Sequence, residues 1–148
     1  RQVLPAPTGQ VLLPDVPNWS WHEYGMRVGV WRFFRLFGRL GIAPTLSINA
    51  RVVEDYERVA AQARDDGWEF MGHSWEQGPI HKEPDQRGMI HRSLDRLQAF
   101  TGTRPVGWLG PGLTQTEATP EMLAEAGVKY IGDWVWDDEP CTIHTEKG

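Results

Sequence analysis

Thr119-Pro120-Glu121-Met122-Leu123-Ala124-Glu125-Ala126-Gly127, followed by Val128-Lys129-Tyr130-Ile131-Gly132-Asp133-Trp134, reads as a helix, a stop and a strand that ends in a carboxylate. Thr119 suits an N-cap, Pro120 is preset for the first helical position, and Glu121 is favourable at the positive end of the helix dipole. Gly127 closes the helix, and a strand expected from Val128 to Trp136 carries Asp133 near its end. Two earlier apolar runs finish in the same way, one in His73 and one in Gly110-Pro111-Gly112. In sheets and barrels built from strand-helix units, the carboxyl ends of the strands share one face, where loops from distant positions meet a ligand. The layout is that of an enzyme.

Upstream, the apolar spacing alternates between helix and strand. Val28, Trp31, Phe34 and Phe37 recur at helical intervals between Gly25 and Leu40, and Gly41 ends that helix. Ala43 to Ala50 is a short buried strand. Arg51 to Asp66 is one amphipathic helix, with Val52, Val53, Tyr56, Val59, Ala60 and Ala63 on its inner face and Gly67 as its stop. Trp68 to Ser74 is the next strand, and Trp75 to Asp85 is a long loop broken by Gly78, Pro79 and Pro84. Met89, Ile90, Leu94, Leu97 and Phe100 mark a third helix, and Pro105 to Leu109 a third strand. This alternation implies parallel pairing through right-handed crossovers. The expected fold is α/β, a partial (β/α) barrel of parallel strands alternating with helices; a small open sheet is the alternative.

Size and charge bound the function. The 148 residues fit one domain with a real core, and 40% hydrophobic with 24% charged residues is the balance of a globular protein. A net charge of -5 gives no reason to expect nucleic acid or an anionic membrane surface as partner. The single cysteine, Cys141, makes no internal disulfide, and no apolar run approaches the roughly 20 residues of a membrane span. A reducing, cytoplasmic setting is expected. Residues 1–148 are expected to be a single domain truncated at both ends, because the chain opens on a Pro-rich, irregular stretch running to Pro17 and stops without a closing helix. Sheet edges left open by missing strands would offer a place to a second copy of the chain.

Four blocks together resemble one family. These are Glu23-Tyr24-Gly25-Met26-Arg27-Val28-Gly29-Val30-Trp31-Arg32, Gly72-His73-Ser74, Gly107-Trp108-Leu109-Gly110-Pro111-Gly112, and Asp133-Trp134 with Asp137-Asp138-Glu139-Pro140. In order and spacing, from about Pro14 to Pro140, the chain resembles the polysaccharide deacetylase superfamily, and within it the allantoinase-like branch. The resemblance implies an irregular (β/α) barrel and hydrolysis of non-peptide carbon-nitrogen bonds, in a small amide, a ureide or an N-acetylated sugar. It also implies, for the metal-dependent members, an Asp-Asp pair on the first strand, a pair of histidines, and an Arg that orients the catalytic Asp. Here the first strand would lie upstream of Arg1, His73 matches the first histidine, Gln77 stands near the second, and Leu109 stands where the Arg should be.

These departures bear on the chemistry. A divalent metal such as zinc would polarise the carbonyl and lower the pKa of bound water, and one histidine does not hold it. The cofactor is therefore expected to be either none or one divalent metal, with His73 as the ligand on view. Without a metal, a carboxylate or imidazole must activate water and fixed donors must meet the tetrahedral intermediate. His73, Asp133 and Glu76 are the candidate catalytic residues, with backbone amides from Gly110 to Gly112 as donors. Glu23, Tyr24, Arg27, Trp75, Gly110, Pro111 and Trp134 are the candidate substrate-binding residues, and the planar fork of Arg27 suits a carboxylate or ureido oxygen.

Each has a plainer competitor. His73 could be a hydrogen-bonded histidine at a strand end, Glu76 a solvated loop residue, and Glu23 a favourable charge before the first helix. Asp137, Asp138 and Glu139 read most simply as an acidic turn, and His22, His81, His91 and His144 as solvent-facing. Of the eight tryptophans, Trp31 and Trp68 suit the core. Trp19, Trp21, Trp75, Trp108, Trp134 and Trp136 fall near expected loops and strand ends, where indole faces stack on sugars or flat ureides. Two functions follow: an amide hydrolase using water with His73 as acid/base and Asp133 orienting or charging it, or a catalytically inactive carbohydrate-binding or scaffold domain.

Overall fold

The computed structural model describes Pro5, Gly9 and residues 13–147, which form two compact units divided after Ile42. In the first unit, α1 (Val16–Tyr24) widens into a π-helical turn (Gly25–Gly29) and continues as α2 (Val30–Leu40). The Pro-rich stretch is thus helical from Val16 on, a correction to the irregular reading. Asp15 caps α1 by accepting the Asn18 N–H at 3.2 Å, and Pro17 sits in the first turn, where its missing N–H costs nothing. Trp19, Trp21, His22 and Glu23 consequently lie on a helix, not in a loop before one. Gly41, at φ 66°, ends α2 in the left-handed conformation that glycine adopts without strain.

The second unit is a sheet of four parallel strands in sequence order: β1 (Thr45–Ile48), β2 (Glu69–Gly72), β3 (Gly107–Trp108) and β4 (Tyr130–Ile131). Helices α3 (Val52–Asp55) and α4 (Glu57–Asp65) connect β1 to β2, α5 (Gln86–Thr101) connects β2 to β3, and α6 (Thr119–Glu125) connects β3 to β4. Sequential parallel strands with helical crossovers form the arc of a (β/α) barrel, as expected.

Each strand is shorter than the apolar run that predicts it, and two helix boundaries also differ from the sequence reading. The helix expected over residues 51–66 breaks at Tyr56, whose φ of -133° and ψ of 48° leave the helical region. Regular spacing conceals the break, because Val53 on one side and Val59, Ala60 and Ala63 on the other are all buried. The N-cap of α6 is Ala118, and the Thr119 hydroxyl instead accepts the Thr116 N–H at 2.8 Å and donates to Gln86 Oε1 at 2.9 Å. The last strand is two residues long rather than nine, since Gly132 N–H to Trp108 O, at 2.9 Å, is where the ladder with β3 stops.

The core lies between the sheet and its helices. Ile90, Leu94 and Leu97 recur at i, i+4 and i+7 along α5 and are fully buried, and Ile90 and Leu94 form its centre with Ile80, Met89, Trp108 and Leu123. Asp85 accepts the Gly88 N–H at 2.9 Å to start α5, and Gly102 at φ 79° ends it. Trp108 is the fully buried tryptophan, while Trp31 and Trp68 are only half-buried; this reverses the sequence assignment. A strand-end position in the sequence did not show that the Trp108 indole points back beneath Gly72. An added Cβ on Gly72 would lie 2.7 Å from that ring, so only glycine lets β2 and the indole approach so closely. No helix among the described residues is long and apolar enough to cross a membrane.

Candidate functional site

The carboxyl ends of β2, β3 and β4 bring His73, Leu109-Gly110 and Asp133 together. His73 leaves β2 with its main chain fixed on both sides: its N–H donates to Ile48 O at 3.1 Å, and its carbonyl accepts the Asn49 side-chain amide. Ser74 follows at φ 66°, a left-handed conformation costly for a non-glycine residue, and turns the chain away from the sheet.

The His73 ring is held at both nitrogens. Nδ1 contacts the Leu109 carbonyl oxygen, and Nε2 lies 3.1 Å from Gln77 Oε1. A carbonyl only accepts, so Nδ1 carries a proton, and Nε2, whose partner amide can present either its oxygen or its NH2, is the nitrogen left for chemistry. The sequence reading has Asp133 orienting or charging His73; at Nδ1 the ring is held by the Leu109 main-chain carbonyl.

Asp133 is 5% exposed. Its Oδ1 accepts the Gly110 N–H at 2.6 Å, and its buried Oδ2 has no hydrogen-bond partner among the described residues. Burial pushes its carboxyl above the usual aspartate range, against the opposing influences of the Gly110 hydrogen bond and of His73 nearby. A raised carboxyl with an unpartnered oxygen beside an imidazole is the kind of perturbed pair that marks functional sites. The Gly110 amide, expected as a donor to an oxyanion, is turned to Asp133 instead. Gly110 also has no room for a side chain: a Cβ there would lie 2.8 Å from Thr114 O and 3.2 and 3.3 Å from the two Asp133 oxygens. Buried Pro111 opens the short 3-10 turn Pro111–Leu113 that follows.

The remaining expectations fall elsewhere. Glu76 is exposed and paired with Arg51 at 3.0 Å, in a surface network that includes Asp55. Trp75 is half-buried against the core, with the Arg92 guanidinium 4.8 Å above its ring. Trp134 is partly exposed and tilted against the exposed Trp136 at 6.4 Å. Asp137, Asp138, Glu139, His81 and His144 are exposed, whereas His91, expected to face solvent, is half-buried. Glu23, Tyr24 and Arg27 belong to the first unit, where Arg27 lies in the π-helical turn and exposed Tyr24 precedes it. Two contributors escaped the sequence reading. The Leu109 carbonyl has no side-chain signature, and Gln77 was visible only as a histidine that was not there.

The model of the polysaccharide deacetylase family matches residues 21–131, three quarters of the chain. The chain belongs to the polysaccharide deacetylase family. Among solved structures, a "probable Polysaccharide deacetylase" from Pseudomonas aeruginosa PAO1 is 29% identical at TM-score 0.74, over 88% of this chain and 43% of that one. The PuuE allantoinase is 28% identical at TM-score 0.71, over 80% of this chain and 40% of that one. A chitin deacetylase from the fungal pathogen Colletotrichum lindemuthianum shares the fold, at 14% identity and TM-score 0.60, over 70% of this chain and 49% of that one. No curated protein matches. The chain therefore spans less than half the length of these solved relatives.

Metal-dependent deacetylases of this family gather several ligands around one ion. Among the described residues, no group of three or more His, Cys, Asp or Glu side chains is placed to hold one. His73 Nε2, the nitrogen a metal would take, faces the Gln77 amide. The described residues do not by themselves fit a metal centre.

Proposed function

We propose that this deacetylase-family chain carries the acid/base part of a hydrolase acting on a non-peptide carbon-nitrogen bond in a small amide, a ureide or an N-acetylated sugar. The carrying observation is the convergence of His73, oriented by Leu109 O, and the buried, half-satisfied carboxylate of Asp133 at the carboxyl ends of β2 and β4, on either side of β3. Water attacks the carbonyl carbon, a new C–O bond forms, and the water proton passes to His73 Nε2. Collapse of the tetrahedral intermediate breaks the C–N bond, and a proton from His73 Nε2 goes to the leaving nitrogen, so that product release leaves the pair as it began. Asp133 is proposed to act through its charge beside the imidazole. Trp134, partly exposed beyond the end of β4, is proposed as a stacking surface for the substrate.

Full-length protein carrying Asp133→Asn, which keeps the Gly110 hydrogen bond and removes the charge, should lose about 10²- to 10⁴-fold in amide hydrolysis, the usual scale of acid-base catalysis. Unchanged turnover would refute the role given to Asp133. Sugar binding without turnover in the wild-type protein would favour the inactive binding domain.

A further inference from the structure

We infer that Gln77 is a positioning residue that takes the place of a metal at His73, holding Nε2 through a neutral side-chain amide so that the imidazole moves protons instead of coordinating an ion. This deepens the hydrolase reading and rests on it for its purpose, though not for its geometry. The argument begins with Nδ1. Because Leu109 O only accepts, the neutral ring has its proton on Nδ1 and a lone pair on Nε2. That is the arrangement of a metal-binding histidine, whose second nitrogen donates to a carbonyl while the first binds the ion. The position is filled from within the chain by Gln77, four residues on: its Oε1 lies 3.1 Å from Nε2, the contact an Nε2–H makes, and turning the amide brings its NH2 to the lone pair of the neutral ring.

A glutamine suits proton transfer for a reason that a carboxylate or a second imidazole does not share. Its amide presents an oxygen on one side and an NH2 on the other, and half a turn about its terminal bond exchanges them. The NH2 donates to the lone pair of the neutral ring, and the oxygen accepts from the Nε2–H of the protonated ring. One uncharged side chain therefore serves both forms of His73 that the proposed cycle needs. A carboxylate would favour only the protonated form, and a histidine would offer a second lone pair to a metal.

The test is 15N NMR of the His73 ring in the full-length protein, combined with zinc titration. In the wild type, Nδ1 should resonate as an N–H and the His73 signals should be unmoved by stoichiometric zinc. In Gln77→Ala, Nε2 should shift toward the position of a bare ring nitrogen while Nδ1 stays, the latter showing that the fold and the Leu109 contact survive. Gln77→Glu should hold Nε2 in the N–H form. In Gln77→His, zinc should move the Nε2 signal, with affinity raised by roughly 10-fold or more, the scale on which even outer-sphere partners act. Stoichiometric zinc shifting wild-type His73, or an Nε2 signal indifferent to both Gln77→Ala and Gln77→Glu, would overturn the inference. None of these readouts involves substrate. A protein that passes them all and hydrolyses no amide would retire the hydrolase reading and leave Gln77 in its place.

Discussion

Asp133 Oδ1 accepts the backbone N–H of Gly110 at 2.6 Å, which ties the end of β4 to the end of β3 and leaves the other carboxylate oxygen buried without a partner among the described residues. Desolvating that oxygen carries a cost that a hydrogen bond on its neighbour offsets only in part.

The cost has a definite pH dependence. Burial raises the Asp133 carboxyl in the folded state above its ordinary value of 3.8, so across the interval between the two values the folded chain binds more protons than the unfolded one. Stability should therefore be highest below that interval and fall as pH rises through it. Asp133→Asn does not titrate, so its advantage over wild type should grow from acid toward neutral pH. Thermal unfolding of both proteins across that range checks the prediction, and a difference independent of pH would contradict it.

Gly110→Ala should disturb the site from the backbone side. The new methyl would press on Thr114 O at 2.8 Å and on both Asp133 oxygens at 3.2 and 3.3 Å. Overpacking of this kind costs about 1–3 kcal/mol, and the displaced carboxylate should lower hydrolysis as well. Denaturant unfolding and steady-state kinetics measure the two effects separately.

At the opposite end of the sheet, Glu69 joins three strands, accepting the Thr45 hydroxyl at 2.6 Å with one oxygen and the Tyr130 hydroxyl at 2.6 Å with the other. Burial, and after it the Glu69 carboxylate, push the Tyr130 phenol up to about 12, while the two hydroxyls hold Glu69 below its usual range. In Glu69→Gln the phenol should ionise at lower pH, as followed by tyrosinate absorbance. Tyr130→Phe should cost about 1 kcal/mol or less, since Glu69 is exposed and water replaces part of the bond. A loss of several kcal/mol would mean that the network does more than join strands.

Much of this arrangement was legible in the residues. The glycine stops at Gly41 and Gly67, the i, i+4, i+7 spacing of Ile90, Leu94 and Leu97, and the polar residues that end apolar runs gave the order of elements and set His73 and Asp133 on one face. Tertiary effects stayed hidden. Periodicity cannot register the single non-helical residue at Tyr56, because both halves of the broken helix bury the same kind of face. Composition does not say that Trp108 turns inward under Gly72 while Trp134 turns outward. Main-chain groups carry no sequence signal, so the Leu109 carbonyl and the Gly110 amide, the contacts that fix His73 and Asp133, were out of reach.

The most direct measurement is kcat/KM of the full-length protein for allantoin and for an N-acetylated sugar, wild type against His73→Ala. Proton transfer at Nε2 predicts that the better substrate is hydrolysed by the wild type and that the variant falls by about 10²- to 10⁴-fold with its fold intact. Equal rates in the two proteins would contradict the site described here.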